Sequence, residues 1–299
     1  MKIGKKVIIL DNFSNSKMNT IENIKKITEK KLIFYKADIK KISDLDEIFS
    51  SNIIDSVIHF AGLKSVSESI QKPDLYHENN VTGTENILNC MNLYNVKKLI
   101  FSSSATVYGD PKKLPIYESH PLNPNNPYGK SKLDAENLIK NFINQNKSLS
   151  CVSLRYFNPI GAHSSGLIGE DGKGNPSNIM PLICRAAANK IKKIKIFGNN
   201  YPTPDGTGIR DYIHVYDLIK AHLNSLAYLS SQSGFISINL GTGHGYSVFE
   251  LINTFETVNK VEVPYIISRR RQGDVAKVYC NNSLALKLLK WKPTKDIKN

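Results

Sequence analysis

Cysteine is scarce. Cys90, Cys151, Cys184 and Cys280 are the only four in 299 residues, too scattered for a disulfide framework and without the short spacings that hold a metal. Buried, reduced thiols are expected. No run approaches the roughly 18 to 20 consecutive apolar residues of a membrane span. The opening residues, Met1 to Lys6, lack the apolar core of a signal peptide, so a cytoplasmic chain with no membrane partner is expected. Acidic residues are in deficit, 26 against 40 Lys and Arg, for a formal charge of +14. The excess is lysine spread along the whole chain, with no aromatic-interleaved basic stripe. That argues against a nucleic-acid partner and for a small anion held by a few arginines. Glycine is missing where open α/β sheets bind dinucleotide phosphates: six residues precede the first apolar run at Val7, with Gly4 alone among them. Repeats and low-complexity linkers are absent too, and the length suffices for a large core in about two lobes.

What is present alternates. Short apolar runs close on polar or small residues: Val7-Ile8-Ile9-Leu10 on Asp11, Leu32-Ile33-Phe34-Tyr35 on Asp38, Val57-Ile58-His59-Phe60 on Ala61-Gly62, and Leu99-Ile100-Phe101 on Ser102-Ser103-Ser104. Between them lie helical spacings. One opens with a cap-like Ser43-Asp44, one follows Asn79-Asn80 through Ile87, Leu88 and Met91, and one runs from Tyr128 through Leu138-Ile139. For either asparagine an ordinary N-cap is the plain role. This alternation predicts an α/β fold, a Rossmann-type doubly wound parallel sheet with its sites at the strands' C-terminal ends. His59, mid-strand among apolar residues, reads as a core histidine. The polar loop 162–177 marks a boundary between a dinucleotide-binding lobe, 1–160, incomplete at its N-terminus, and a smaller, partly interleaved α/β lobe, 161–299. Gly241-Thr242-Gly243-His244-Gly245 comes too late and too irregularly spaced for a phosphate turn, and Ser247-Val248-Phe249-Glu250 after it reads as a capping box.

The chemistry concentrates in two stretches. Tyr128 and Lys132 are four apart on one helix and so share a face. A phenol with a pKa of about 10 is a poor base at neutral pH, but a nearby ammonium favours its phenolate. Ser104, at a strand end, is placed to hold a substrate alcohol while Tyr128 removes its proton.

Ser104-Ala105-Thr106-Val107-Tyr108-Gly109 with Tyr128-Gly129-Lys130-Ser131-Lys132 resembles the Ser, Tyr, Lys triad of the extended short-chain dehydrogenase/reductase family, most closely its nucleotide-sugar epimerase branch. Leu154-Arg155-Tyr156-Phe157-Asn158-Pro159-Ile160-Gly161 and Asp205-Gly206-Thr207-Gly208-Ile209-Arg210-Asp211-Tyr212 extend the likeness, which runs from Val7 to Trp291. The resemblance implies NAD as cofactor, held by Asp11, Asn12, Asn15, Ser16, Asp38, Ile39, Phe60, Ala61, Gly62, Leu63, Lys64, Asn79, Phe157 and the triad. It implies a UDP-hexose substrate on Ser104, Tyr128, Asn158, Asn178, Ile179, Lys195, Ile196, Phe197, Arg210, Arg271, Asp274 and Val278. The implied reaction interconverts UDP-glucose and UDP-galactose by transient oxidation at C4, in a homodimer built on the helices after Asn80 and at Tyr128. A dehydratase of the family carries an acid pair where this chain has Ala105-Thr106. Against the family's pattern, the strand, glycine turn and helix that precede Val7 are missing and the end beyond Trp291 is short. An impaired relative is therefore the alternative, and an epimerase acting on UDP-N-acetylglucosamine, admitted by the small Val278, is another.

Overall fold

The computed structural model describes residues 4–299 apart from Asn175, Ser177 and Gln272, so Ser177 of the boundary loop and Gln272 beside Arg271 lie outside the described residues. The first unit is β1 (Ile8–Asp11), α1 (Asn19–Thr28) and β2 (Ile33–Lys36), with the two strands parallel and Asp11 opposite Lys36. Next come α2 (Ile42–Ser50), β3 (Ser56–His59), α3 (Val66–Gln71), α4 (Pro73–His77), a π-helical turn (Glu78–Thr82) and α5 (Gly83–Leu93). Then follow β4 (Lys98–Ser104), a 3-10 turn (Ala105–Tyr108), α6 (Pro127–Gln145) and β5 (Ser150–Tyr156).

Beyond β5 the chain makes β6 (Asn158–Ile160), α7 (Ile179–Ala187), β7 (Ile194–Phe197), β8 (Ile209–Arg210), β9 (Tyr212–His214) and α8 (Val215–Tyr228). It closes with β10 (Gly234–Leu240), β11 (Tyr246–Ser247), α9 (Val248–Asn259), β12 (Tyr265–Ser268), β13 (Lys277–Val278) and α10 (Ser283–Leu289).

The main sheet is parallel in the order β10-β5-β4-β3, while β1 and β2 pair only with each other among the described residues. Successive side chains of a strand face opposite sides. Leu99, Phe101 and Cys151 accordingly pack with Leu88 and Met91 of α5 and Ala135 and Ile139 of α6. Ile100, Val152 and Leu154 pack on the other side with Leu218 and Ala221 of α8 and Leu289 of α10. Helices on both faces of a parallel sheet make the doubly wound arrangement. Late elements serve the early sheet, since β10 lies against β5 along its whole length. A second core forms around α7, β7 and α9.

Three local expectations need correcting. Lys41, not Ser43, caps α2, and the Asp44 carboxylate instead accepts from the Asp38 amide, stiffening the turn after β2. Neither Asn79 nor Asn80 is an N-cap, because α4 and the π turn already carry helical backbone through them. Cys90, Cys151 and Cys280 are buried free thiols, but Cys184 is exposed on the outer face of α7. His59 is buried on Thr84, and burial holds its pKa down at about 3, as a core histidine requires. Ser247 and Glu250 do form the capping box of α9.

Candidate active site

Two short devices aim the reactive groups. Asn126 caps α6 by accepting from the Gly129 amide, and Pro127 supplies a first helical residue that needs no hydrogen-bonded amide. Tyr128 is therefore held at the helix mouth, facing the end of β4. There the chain turns sharply at Gly109, where φ is +65° and a Cβ would fall 1.9 Å from the Asn123 carbonyl oxygen, so only glycine lets the 3-10 turn meet the segment before α6.

Ser104 Oγ accepts from the Thr106 amide at 3.2 Å and the Thr106 hydroxyl at 3.0 Å. Both lone pairs are thereby occupied, so toward Tyr128 the serine can only donate. Burial pushes the Tyr128 phenol up, and this serine proton draws it back down. Lys132 is 4 % exposed, donates to the Ser102 carbonyl at 2.8 Å, and stands 5.0 Å from the centre of the Phe101 ring. Burial lowers its pKa to about 8, with Glu136 one turn on opposing the drop.

Backbone and amide contacts fix that ammonium. A Cβ on Gly62 would lie 3.2 Å from Lys132 Nζ and 3.1 Å from Asn80 Oδ1, so the turn after β3 rests directly on both. Asn80 accepts from the Leu63 amide at 2.8 Å and donates to the Leu63 carbonyl at 3.0 Å and the Ser131 hydroxyl at 2.9 Å, joining that turn to α6. Glu136 receives Arg155 through Nε at 3.0 Å and Nη2 at 2.6 Å, a buried bidentate pair that fixes α6 on β5. Arg155 also donates to the Tyr108 hydroxyl at 2.9 Å, which donates to Asn239 at 2.7 Å.

These groups line a cavity of about 1570 Å³ between the main sheet and the second lobe. Single small-ligand sites run to roughly 1,000 Å³, so this one has room for two ligands side by side. The structure brings Ser104, Tyr128, Lys132, Phe60, Gly62, Leu63, Lys64 and Phe157 onto its wall, together with Asn158, Asn178, Ile179, Arg210, Asp274 and Val278. Other expected residues stand apart from it. Asp11, Asn12, Ser16 and Asp38 form their own cluster at the tips of β1 and β2: Asp11 accepts from the Phe13 amide and Ser16, and Asp38 from Asn12 and the Lys40 amide. The Asn15 carbonyl holds the Lys173 amide of the boundary loop. Ile39 is core and Asn79 is buried in the π turn, while Ala61 lies between the cavity-lining Phe60 and Gly62. Lys195, Ile196 and Phe197 lie along β7, outside the cavity lining, with the Arg271 guanidinium 3.9 Å from the Phe197 ring centre. Sequence reasoning passed over Asn80 and Thr106. Two adjacent asparagines look alike in a sequence, and only the phase of the π turn shows which one faces α6.

A doubly wound sheet that delivers a serine, a tyrosine and a lysine to one two-ligand cavity defines a nucleotide-sugar enzyme of the short-chain dehydrogenase/reductase class. The family described as GDP-mannose 4,6 dehydratase matches residues 1–299. The UDP-glucose 4-epimerase of Dictyostelium discoideum is 49% identical over 98% of this chain and 86% of its own length. That of Yersinia enterocolitica is 50% identical over 96% of this chain and 85% of its own. The crystal structure of UDP-glucose 4-epimerase from Bifidobacterium longum in complex with NAD+ and UDP shares 46% identity and a TM-score of 0.96, covering 99% of this chain and 88% of that one. The chain belongs to the UDP-glucose 4-epimerase family.

Proposed function

We propose that the chain interconverts UDP-glucose and UDP-galactose with NAD, acting in the cytoplasm as a homodimer through α5 and α6, with residues 1–160 serving mainly the cofactor and 161–299 mainly the nucleotide sugar. The observation that carries this is the meeting of Ser104 and Tyr128 on one cavity wall with buried Lys132 one helical turn behind. The cofactor fits the residues present: Lys132 is a buried cation with one backbone acceptor, Phe60 offers an aromatic face that is 55% exposed, and Gly62 brings backbone to the ammonium. Lys132 would hold the ribose, Phe60 to Lys64 and Phe157 the nicotinamide, and the Asp11 and Asp38 cluster the adenosine. NAD supplies a two-electron acceptor and donor at C4 of the hexose.

The chain's residues manage the proton. Ser104 orients the 4-hydroxyl, and Tyr128 takes its proton and later returns it. Burial pushes the phenol up with only Ser104 drawing it down, so the poising of the base falls to the positive charge that the cofactor's ring would add beside it. Arg210, with Asp274 at 3.9 Å, provides a forked cation for the diphosphate. Asn158 and Asn178 add amides from the cavity wall, and the β7 strand with Arg271 borders the base. Dehydration is disfavoured, because Ala105 has no acid and the Thr106 hydroxyl is already donated to Ser104. Val278 lines the same wall, and its small side chain is the feature on which an alternative N-acetylated substrate, UDP-N-acetylglucosamine, would depend.

The test is turnover of UDP-galactose by the purified chain together with its NAD content. Tyr128→Phe should keep UDP affinity and lose about 10²- to 10⁴-fold in kcat. A chain that binds UDP but neither NAD nor turns over UDP-galactose would refute the assignment.

A further inference from the structure

A second phenol shares the cavity with Tyr128. Tyr156 closes β5 directly across the strand pair from Ser104, and its ring lines the same cavity. Its hydroxyl lies 2.6 Å from Nε2 of His222, a residue of α8 that is only 2% exposed. The other ring nitrogen, Nδ1, lies 2.8 Å from the Leu218 carbonyl oxygen. A carbonyl can only accept, so Nδ1 carries the proton and Nε2 is the acceptor. Tyr156 must therefore donate to His222, away from the triad. The far side of the imidazole supports Phe60, with ring centres 4.8 Å apart, so one histidine backs both aromatic walls.

We propose that His222 is a positioning residue that keeps Tyr156 out of the proton transfer assigned to Tyr128. The physical need is specific. A phenol opposite Ser104 with its proton unclaimed would donate to the Tyr128 oxygen, since both Ser104 lone pairs are taken by Thr106, and a donor on a phenolate lowers its basicity. Tyr128 is close enough that its negative charge is among the causes raising the Tyr156 phenol, after burial. Burial also lowers the pKa of His222 to about 4, which keeps its acceptor nitrogen free at neutral pH. This inference rests on the proposed epimerase chemistry for its consequence, but its geometry stands without it.

Two measurements on the full chain separate the two. Nitrogen NMR of histidine-labelled protein should show His222 as the Nδ1–H tautomer, with the Nε2 signal moving on Tyr156→Phe; an Nε2–H tautomer overturns the proposal. In steady-state kinetics His222→Leu should lower kcat by roughly tenfold with KM little changed, and His222→Gln, which restores an acceptor near Nε2, should recover most of the loss. The decisive variant is the double His222→Leu/Tyr156→Phe, which removes the stray phenol and should turn over several-fold faster than His222→Leu. A double variant as slow as His222→Leu, or a His222→Leu kcat equal to that of the unaltered chain, overturns the proposal. If His222→Leu does not fold, the tautomer and His222→Gln decide. If the unaltered chain turns over no UDP-hexose, the activity assignment fails by itself and the tautomer decides His222.

Discussion

Lys132 is a charge kept where solvation cannot help it. Burial lowers its pKa from 10.5 to about 8, so the folded chain gives up this proton more readily than the unfolded one. Between those two values unfolding takes up a proton, and stability contributed by this group rises with pH across the window. Below about pH 8 the full cost applies, on the order of 3 kcal/mol, with roughly a unit's latitude in the shift behind it. Lys132→Met should therefore raise the melting temperature at pH 7, raise it less at pH 10, and abolish turnover. Equal gains at both pH values would show that packing, not charge, sets the effect. This trade of stability for a poised cation was legible only in part. The spacing of Tyr128 and Lys132 announces a shared face, but the sign of the electrostatics depends on burial. Without cofactor the phenol is pushed up, a fact about its surroundings that no motif spells.

Helix α6 ties chemistry to framework by repeating one face at four-residue intervals: Tyr128, Lys132, then Glu136 locked to Arg155 with both side chains at most 5% exposed. A buried pair is poor evidence of net stability, yet leaving one partner alone is severe. Glu136→Ala should cost about 3–5 kcal/mol in urea unfolding, because it strands the guanidinium beside Tyr108. Adding Arg155→Met should recover much of that loss; a double variant less stable than Glu136→Ala would reject the stranded-charge account. The strands and helices that carry the site were readable from alternation and caps, including the Ser247 capping box. The π turn was not, since no residue type in Glu78–Thr82 marks a wide turn and the segment packs against α6, a contact no local pattern spells. That single irregularity hands the staple role to Asn80 rather than Asn79.

On the scale of the whole molecule the main feature is a break. β1 pairs with β2, β3 pairs with β4, and among the described residues nothing joins the facing edges of β1 and β3, although Leu10 and Val57 pack against one core. Unpaired strand edges are open to exchange and association. Beside this break Ile58 is 37% exposed and Phe60 55%, apolar area that a covered sheet would bury. The chain covers 86% of the length of the Dictyostelium relative. The Asp11 and Asp38 cluster, proposed to hold the adenosine, belongs to the β1–β2 unit, whereas Lys132 on α6 belongs with the main sheet, so any ligand spanning both needs the two pieces held in register. Adding ahead of Gly4 a segment that supplies a strand between β1 and β3 should therefore do three things together. Amide exchange should slow at least about tenfold at Ile8–Asp11 and Ser56–His59, the melting temperature should rise, and NAD should stay bound through gel filtration. Hydrogen-exchange mass spectrometry of the two chains decides it: unchanged exchange at both edges would mean that the strands already have partners, and that the break does not limit cofactor binding.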